Sequence, residues 1–252
     1  MLIVLSPAKN LNFDPADGRL ASTEPQFPGE IAKLIEVLRK KTPSGIAALM
    51  KLSDKLSTLN AERYKAFGSQ TKKQAILAFN GDVYRGFDAG SLNAAGLKAA
   101  QKRVRILSGL YGLLRPLDRM EPYRLEMGTS LKTRRGENLY DFWGTRIANA
   151  LDEELGGAPL INCASNEYFK AVKGLKAPVI TCQFKEEKDG QVKTLAFFAK
   201  AARGMMARFA VDERIDKPEG LKDFQTAGYR FQPALSSENS WVFSRPQPPK
   251  AT

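Results

Sequence analysis

The chain opens on four consecutive apolar residues, Leu2 to Leu5, with no polar alternation, the pattern of a central strand covered on both faces. The run stops at Ser6-Pro7. Residues 14–29 hold three prolines and two glycines and read as loop. Ile31, Leu34, Ile35 and Leu38 then recur at helical spacing, with Lys33, Glu36, Arg39 and Lys40 opposite. Thr42-Pro43 supplies a cap and a first helical residue for a pair of short helices spanning 44–67, broken at Leu52-Ser53-Asp54-Lys55.

Further along, Gln74 to Phe79 reads as a buried strand ending at the Asn80-Gly81 turn, and 91–107 as a helix. An amphipathic helix follows over 141–155, then a strand over 159–164 and a helix over 166–172 capped by Ser165. Residues 178–184 and 192–198 read as two antiparallel strands around Asp189-Gly190, and 199–211 as a helix. Parallel-type strands come early and a hairpin late, without repeat or long linker. The pattern predicts an α/β mixed (α+β) fold: a single compact domain over 1–244 with a mixed sheet, and a flexible, proline-rich tail over 245–252.

Composition then narrows the chemistry. The 252 residues include 39 Lys and Arg against 27 Asp and Glu, a net charge of +12, and no histidine. A surplus of this size attracts polyanions. The missing histidine removes the Ser-His-Asp triad, the Cys-His pair and His-ligated zinc, and leaves carboxylates, lysine, tyrosine and backbone amides for any chemistry. Cys163 and Cys182 lack C-x-x-C spacing and read as reduced core residues with no redox role. The apolar runs fall far short of the ~20 residues that span a bilayer. With no basic leader at the N-terminus, a cytoplasmic protein is expected.

The cations are unevenly spread. Between Lys98 and Arg135 ten basic residues face three acids, and the ten include Lys102, Arg103, Arg105, Arg115, Arg124, Arg134 and Arg135. A second cluster, Lys193, Lys200, Arg203 and Arg208, runs without an acid through a segment rich in Phe and Met. Arg203 stands beside Gly204, where a backbone must come close. Glu126, Glu167, Asp82 and Tyr84 are the candidate bases, and an isolated acid beside arginine is equally a salt-bridge partner. No acidic pair marks a metal site, no cofactor motif is present, and neither G-x-x-x-x-G-K-[ST] nor G-x-G-x-x-G occurs.

Several blocks together are more specific than any one of them: SPAKNL at 6–11, LMKLSDKLSTLNAERY at 49–64, QAILAFNGDVY at 74–84, LSGLYGLLRPLD at 107–118, PYRLEMG at 122–128, LYDFWG at 139–144, SNEYFK at 165–170 and AKAARGMMARF at 199–209. In this order the chain resembles the YaaA family of bacterial peroxide-stress-resistance proteins. The resemblance implies a DNA-binding protein of the oxidative-stress response, with a basic cleft and a helix-hairpin-helix, that engages duplex or branched DNA with little sequence preference. It implies no established enzymatic activity. The expected contacts are Ser6 and Lys9 at the carboxyl end of the first strand, Lys51, Lys55 and Arg63 around the helical hairpin, Lys102, Arg103, Arg105, Arg115, Arg124, Arg134 and Arg135 in the basic stretch, and Lys170, Lys200 and Arg203 beyond it. The rival reading is an enzyme whose pocket gathers Ser6, Lys9, Glu126, Glu167 and Arg203 around a nucleotide or phosphorylated small molecule.

Overall fold

The computed structural model describes residues 1–15 and 22–249. In chain order the elements are β1 (Leu2–Leu5), β2 (Asn10–Leu11), α1 (Pro28–Arg39), α2 (Pro43–Met50), α3 (Asp54–Lys65), β3 (Lys73–Gln74), α4 (Ala75–Ala78), β4 (Phe79–Asn80), α5 (Asp82–Phe87), α6 (Ala94–Arg103), β5 (Val104–Ser108), β6 (Gly112–Leu114) and β7 (Arg119–Met120). The second half adds α7 (Leu139–Trp143), α8 (Arg146–Leu155), β8 (Leu160–Cys163), α9 (Asn166–Phe169), β9 (Val179–Lys188), β10 (Gln191–Lys193), α10 (Ala196–Asp212), β11 (Arg230–Phe231) and β12 (Ser240–Pro246). Together they form a single compact α/β domain. Among the described residues no helix is long and apolar enough to cross a membrane.

One mixed sheet carries the domain, in the order β11-β12-β9-β8-β1-β5-β6, with β10 paired to β9. Its centre is parallel: β1 pairs with β5 on one side and β8 on the other, and β9 lies between β8 and β12. The edges β6, β10 and β11 are antiparallel. The uninterrupted apolar run at the N-terminus is explained by this position, since all four residues of β1 are buried.

Four expectations need correction. The QAILAF run is not a strand; β3 and β4 bracket one helical turn, α4, because a short apolar run has no period to separate strand from helix and its alanines favour the latter. The helix expected over 91–107 ends at Arg103, and Val104 to Ser108 instead become β5, drawn into extended backbone by pairing with β1 and β6. The helix expected over 141–155 begins earlier and breaks between Trp143 and Arg146. The second strand of the late hairpin stops at Lys193, and α10 has begun by Ala196. At the C-terminus β12 extends through Arg245 and Pro246, where Arg245 stacks on Tyr229 with its guanidinium carbon 4.4 Å from the ring centre. That pairing continues the sheet into the segment expected as tail.

The helix with most bearing on the site is α10. A Cβ at Gly204 would lie 1.8 Å from the carbonyl oxygen of Val83 in α5, and one at Gly86 would lie 2.1 Å from the carbonyl oxygen of Ala201. Only two glycines let these backbones meet. Arg208, one turn beyond Gly204, then donates to the carbonyls of Phe87 (3.1 Å) and Asp88 (2.7 Å) at the C-terminal end of α5. Gly204→Ala should therefore destabilise the fold by about 2 kcal/mol, within the range of overpacked cores. Thermal denaturation should show a lower midpoint, by about 2–4 °C per kcal/mol for a chain of this size, despite the better helix propensity of alanine.

Candidate functional site

The chain leaves β1 toward β5 and leaves β8 toward β9, so a crevice opens between the carboxyl ends of two neighbouring strands. Hydrogen bonds tie its lips together. The Ser6 hydroxyl accepts from the Ser165 amide at 2.8 Å and donates to the Ser165 hydroxyl at 3.3 Å, while the Tyr84 hydroxyl donates to the Ser6 carbonyl at 3.0 Å. Ser6 thus joins the two strand ends, and its hydroxyl is already engaged.

A cavity of about 280 Å³ fills this crevice. Lys9 follows β1, Asp82 opens α5, Arg124 and Glu126 come from the segment after β7, Glu167 lies in α9, and Lys200 and Arg203 project from α10. Positions 200 and 203 are three apart on one helix, which puts both on the same face. Lys9 Nζ stands 2.8 Å from Glu126 Oε1, and Arg124 Nη2 stands 3.3 Å from the same oxygen. Asp82 is paired with Arg85, and Glu167 Oε1 accepts from the Gly128 amide at 3.0 Å.

Arg203 differs from the other pocket cations with buried nitrogens in having no acid beside it. Among the described residues it makes no ion pair with a carboxylate, and its Nε is buried without a hydrogen-bond partner. Burial pushes its pKa below the ordinary guanidinium value, so the cation is held at an energetic cost. A buried charge without a partner is the costly case, and an anion entering the pocket would relieve it.

A larger cavity, about 730 Å³, lies between α1 and the 67–72 segment, over an apolar floor of Ile31, Ile35, Phe67 and Tyr111. It contains none of the residues singled out in the sequence as site candidates. The strand-end pocket is the candidate site because its chemistry, not its size, is unusual.

Of the contacts expected from the sequence, the structure brings Ser6, Lys9, Arg124, Lys200 and Arg203 to this pocket, together with Glu126 and Glu167. Lys170 sits beside it, its Nζ 5.7 Å from the ring centre of Tyr140, whose hydroxyl donates to the Glu167 carbonyl. Lys51, Lys55 and Arg63 belong to the separate α2–α3 hairpin. Its first helix is capped as expected, the Gly45 amide donating to Thr42 Oγ1 at 3.1 Å, and Lys51 turns the chain at φ 52°. Arg124 apart, the basic stretch forms no common wall with the pocket. Arg103 pairs with Asp216 (2.7 Å), Arg105 with Glu154, Arg115 with Asp118 (2.9 Å), and Arg135 with Glu30 (2.9 Å) while stacking on Phe142. Lys102 and Arg134 are exposed and lie outside the pocket. Sequence reasoning passed over Tyr168 in the pocket wall, because a buried tyrosine carries no local signal that separates a wall from a core.

Comparison with known proteins agrees with this arrangement of blocks. The family model described as peroxide stress protein YaaA matches residues 1–235. A UPF0246 protein of Caulobacter vibrioides is 53% identical over 255 residues, covering 98% of this chain and 100% of that protein. UPF0246 proteins of Maricaulis maris and Burkholderia lata are each 54% identical, covering 100% and 97% of this chain and 98% of each relative. The chain belongs to the peroxide stress protein YaaA family.

The join at Ser6 carries its own prediction. Ser6→Ala removes the acceptor of the Ser165 amide and should cost about 1 kcal/mol, the net value of one part-buried hydrogen bond. Urea denaturation should show a lower midpoint at unchanged slope.

Proposed function

We propose that this YaaA-family chain acts in peroxide defence by binding DNA through its phosphates, the strand-end pocket holding one phosphate-bearing unit and the α2–α3 hairpin adding a sequence-indifferent backbone contact. The observation that carries this reading is Arg203, a part-buried arginine whose buried Nε has no hydrogen-bond partner and which, among the described residues, has no carboxylate partner, facing a cavity also lined by Lys9, Arg124 and Lys200. A phosphate oxygen is the natural complement of such a group. The hairpin supports it. Ser53 stands at the N-cap of α3 without a side-chain cap bond, so the first amides of that helix are open, with Lys51 and Lys55 exposed on either side. The net charge of +12 supplies long-range attraction.

A second reading has its own observation in favour. Glu126 and Glu167 share the pocket with the cations, and a cavity of about 280 Å³ suits one small ligand, such as a nucleotide or phosphorylated metabolite, that the chain acts upon.

Fluorescence anisotropy with duplex and branched DNA separates the two. If about six or more phosphates are engaged, affinity should fall by about three orders of magnitude between 50 and 200 mM salt. Arg203→Met should weaken all sequences roughly equally, by about tenfold or more, the worth of a charge-assisted hydrogen bond. Lys51→Ala with Lys55→Ala should flatten the salt slope by about two. A flat salt response, or Arg203→Met binding like the parent, overturns the DNA reading. A mononucleotide that raises the melting temperature while DNA does not bind favours the second.

A further inference from the structure

Cys163 ends β8 and Cys182 lies in β9, the parallel neighbour of that strand. The registered pairs run Leu160 with Val179, Ile161 with Ile180 and Asn162 with Thr181. One residue further along both strands come the two cysteines, side by side on one face of the sheet. Both are free, and both are buried. Adjacent strands stand about 4.7–4.9 Å apart, inside the Cα separation of about 4.4–6.8 Å that a disulfide bridges.

The neighbouring Cys163 thiol, together with burial, pushes the Cys182 thiol well above its ordinary value. Cys182 therefore keeps its proton. Arg203, the guanidinium that lacks a carboxylate, is near enough to Cys163 that the charge of a thiolate there favours its charged form. Arg203 and Ser165, two residues beyond Cys163, both line the pocket, so the chain runs from Cys163 at the end of β8 into the pocket wall. Buried cysteines in apolar surroundings are inert, whereas a thiol beside a cation and a second thiol is the arrangement of a redox site.

We propose that Cys163 and Cys182 are a peroxide-oxidised dithiol beside the pocket, with Arg203 as the positioning residue that steadies the attacking thiolate. The oxidant is hydrogen peroxide, a molecule little larger than water. Cys163 sulfur attacks one peroxide oxygen; the S–O bond forms, the O–O bond breaks, and the departing hydroxide takes the proton Cys163 released and leaves as water. Cys182 sulfur then attacks the sulfenic sulfur. The S–S bond forms, the S–O bond breaks, and hydroxide leaves as a second water with the Cys182 proton. The sulfurs lose two electrons in all, and the peroxide gains them. A dithiol of this kind fits a reducing compartment, where disulfides are transient and responsive rather than structural.

The test exposes the reduced full-length protein to hydrogen peroxide and follows free thiols and intact mass. The expected result is loss of both thiols with loss of two hydrogens from the monomer, reversed by a dithiol reductant. Cys182→Ser should instead accumulate a sulfenic acid at Cys163 that dimedone traps, and Cys163→Ser should yield neither product. Arg203→Met should slow the oxidation about tenfold, equivalent to one unit of thiol acidity, and Arg203→Lys should restore most of the rate. The proposal is overturned if the folded parent keeps both thiols under peroxide that fully oxidises free cysteine, or if they react only after denaturation.

Discussion

No side chain separates the backbones of α5 and α10 where they cross. Gly86 and Gly204 each leave room for the other helix's carbonyl, and Arg208 seals the contact by binding the C-terminal carbonyls of α5. Much else depends on this crossing. The register of α10 against α5 fixes where positions 200 and 203 fall, and so sets Lys200 and Arg203 above the ends of β1 and β8. The start of α5 likewise brings Asp82 and Gly81 to the opposite wall. Two glycines at a contact thus translate into the placement of a part-buried cation at a strand switch point, the position where open α/β sheets hold ligands.

The electrostatics follow from pairing rather than from abundance. A run of arginines in sequence becomes a basic surface only if the folded chain leaves it unpaired, and here Arg103, Arg105, Arg115, Arg119 and Arg135 each meet a carboxylate, from Asp216, Glu154, Asp118, Glu24 and Glu30 respectively. Four of these partners are distant in sequence, so the local count of three acids underestimates the neutralisation. In the pocket, Lys9, Arg124, Lys200 and Arg203 face Asp82, Glu126 and Glu167, a net charge of only one. Such a lining suits a ligand with both donors and acceptors, as a nucleotide unit has, better than it suits a bare phosphate.

What could be read from the sequence was what short-range physics decides. The unbroken β1 run, the α1 periodicity and the Thr42-Pro43 start of α2 all emerged as expected, because burial on both faces, helical spacing and capping are local signals. So did the meaning of Gly204: a glycine in a helix, next to an arginine, marked a close approach, although the approaching backbone is α5 rather than a ligand. The QAILAF turn and the start of β5 were hidden because their conformations are chosen by sheet partners far away in the chain. The pairing of Cys163 with Cys182 was equally hidden. Nothing in the residues 163–182 announces a β8–β9 register, and without it two cysteines read as two separate core residues.

The walls of the pocket limit what it can do with protons. Tyr123 and Tyr168 line it and Tyr84 bonds to Ser6 at its lip, and burial pushes the ionisation of each phenol well above the ordinary tyrosine value. They remain neutral hydroxyls: Tyr84 donates to the Ser6 carbonyl, and Tyr123 is hydrogen-bonded to Ser108 at 2.6 Å. With no histidine in the chain, the pocket's carboxylates, Asp82, Glu126 and Glu167, are its candidates for proton transfer to a ligand. Glu126 has one oxygen held by Lys9 and Arg124, and Glu167 has one held by the Gly128 amide, so both acids are already fastened as parts of the frame. A frame of fixed carboxylates and neutral phenols around Arg203, which among the described residues has no carboxylate partner, suits a bound anion better than acid–base chemistry. That is why binding leads and chemistry follows in the reading of this site.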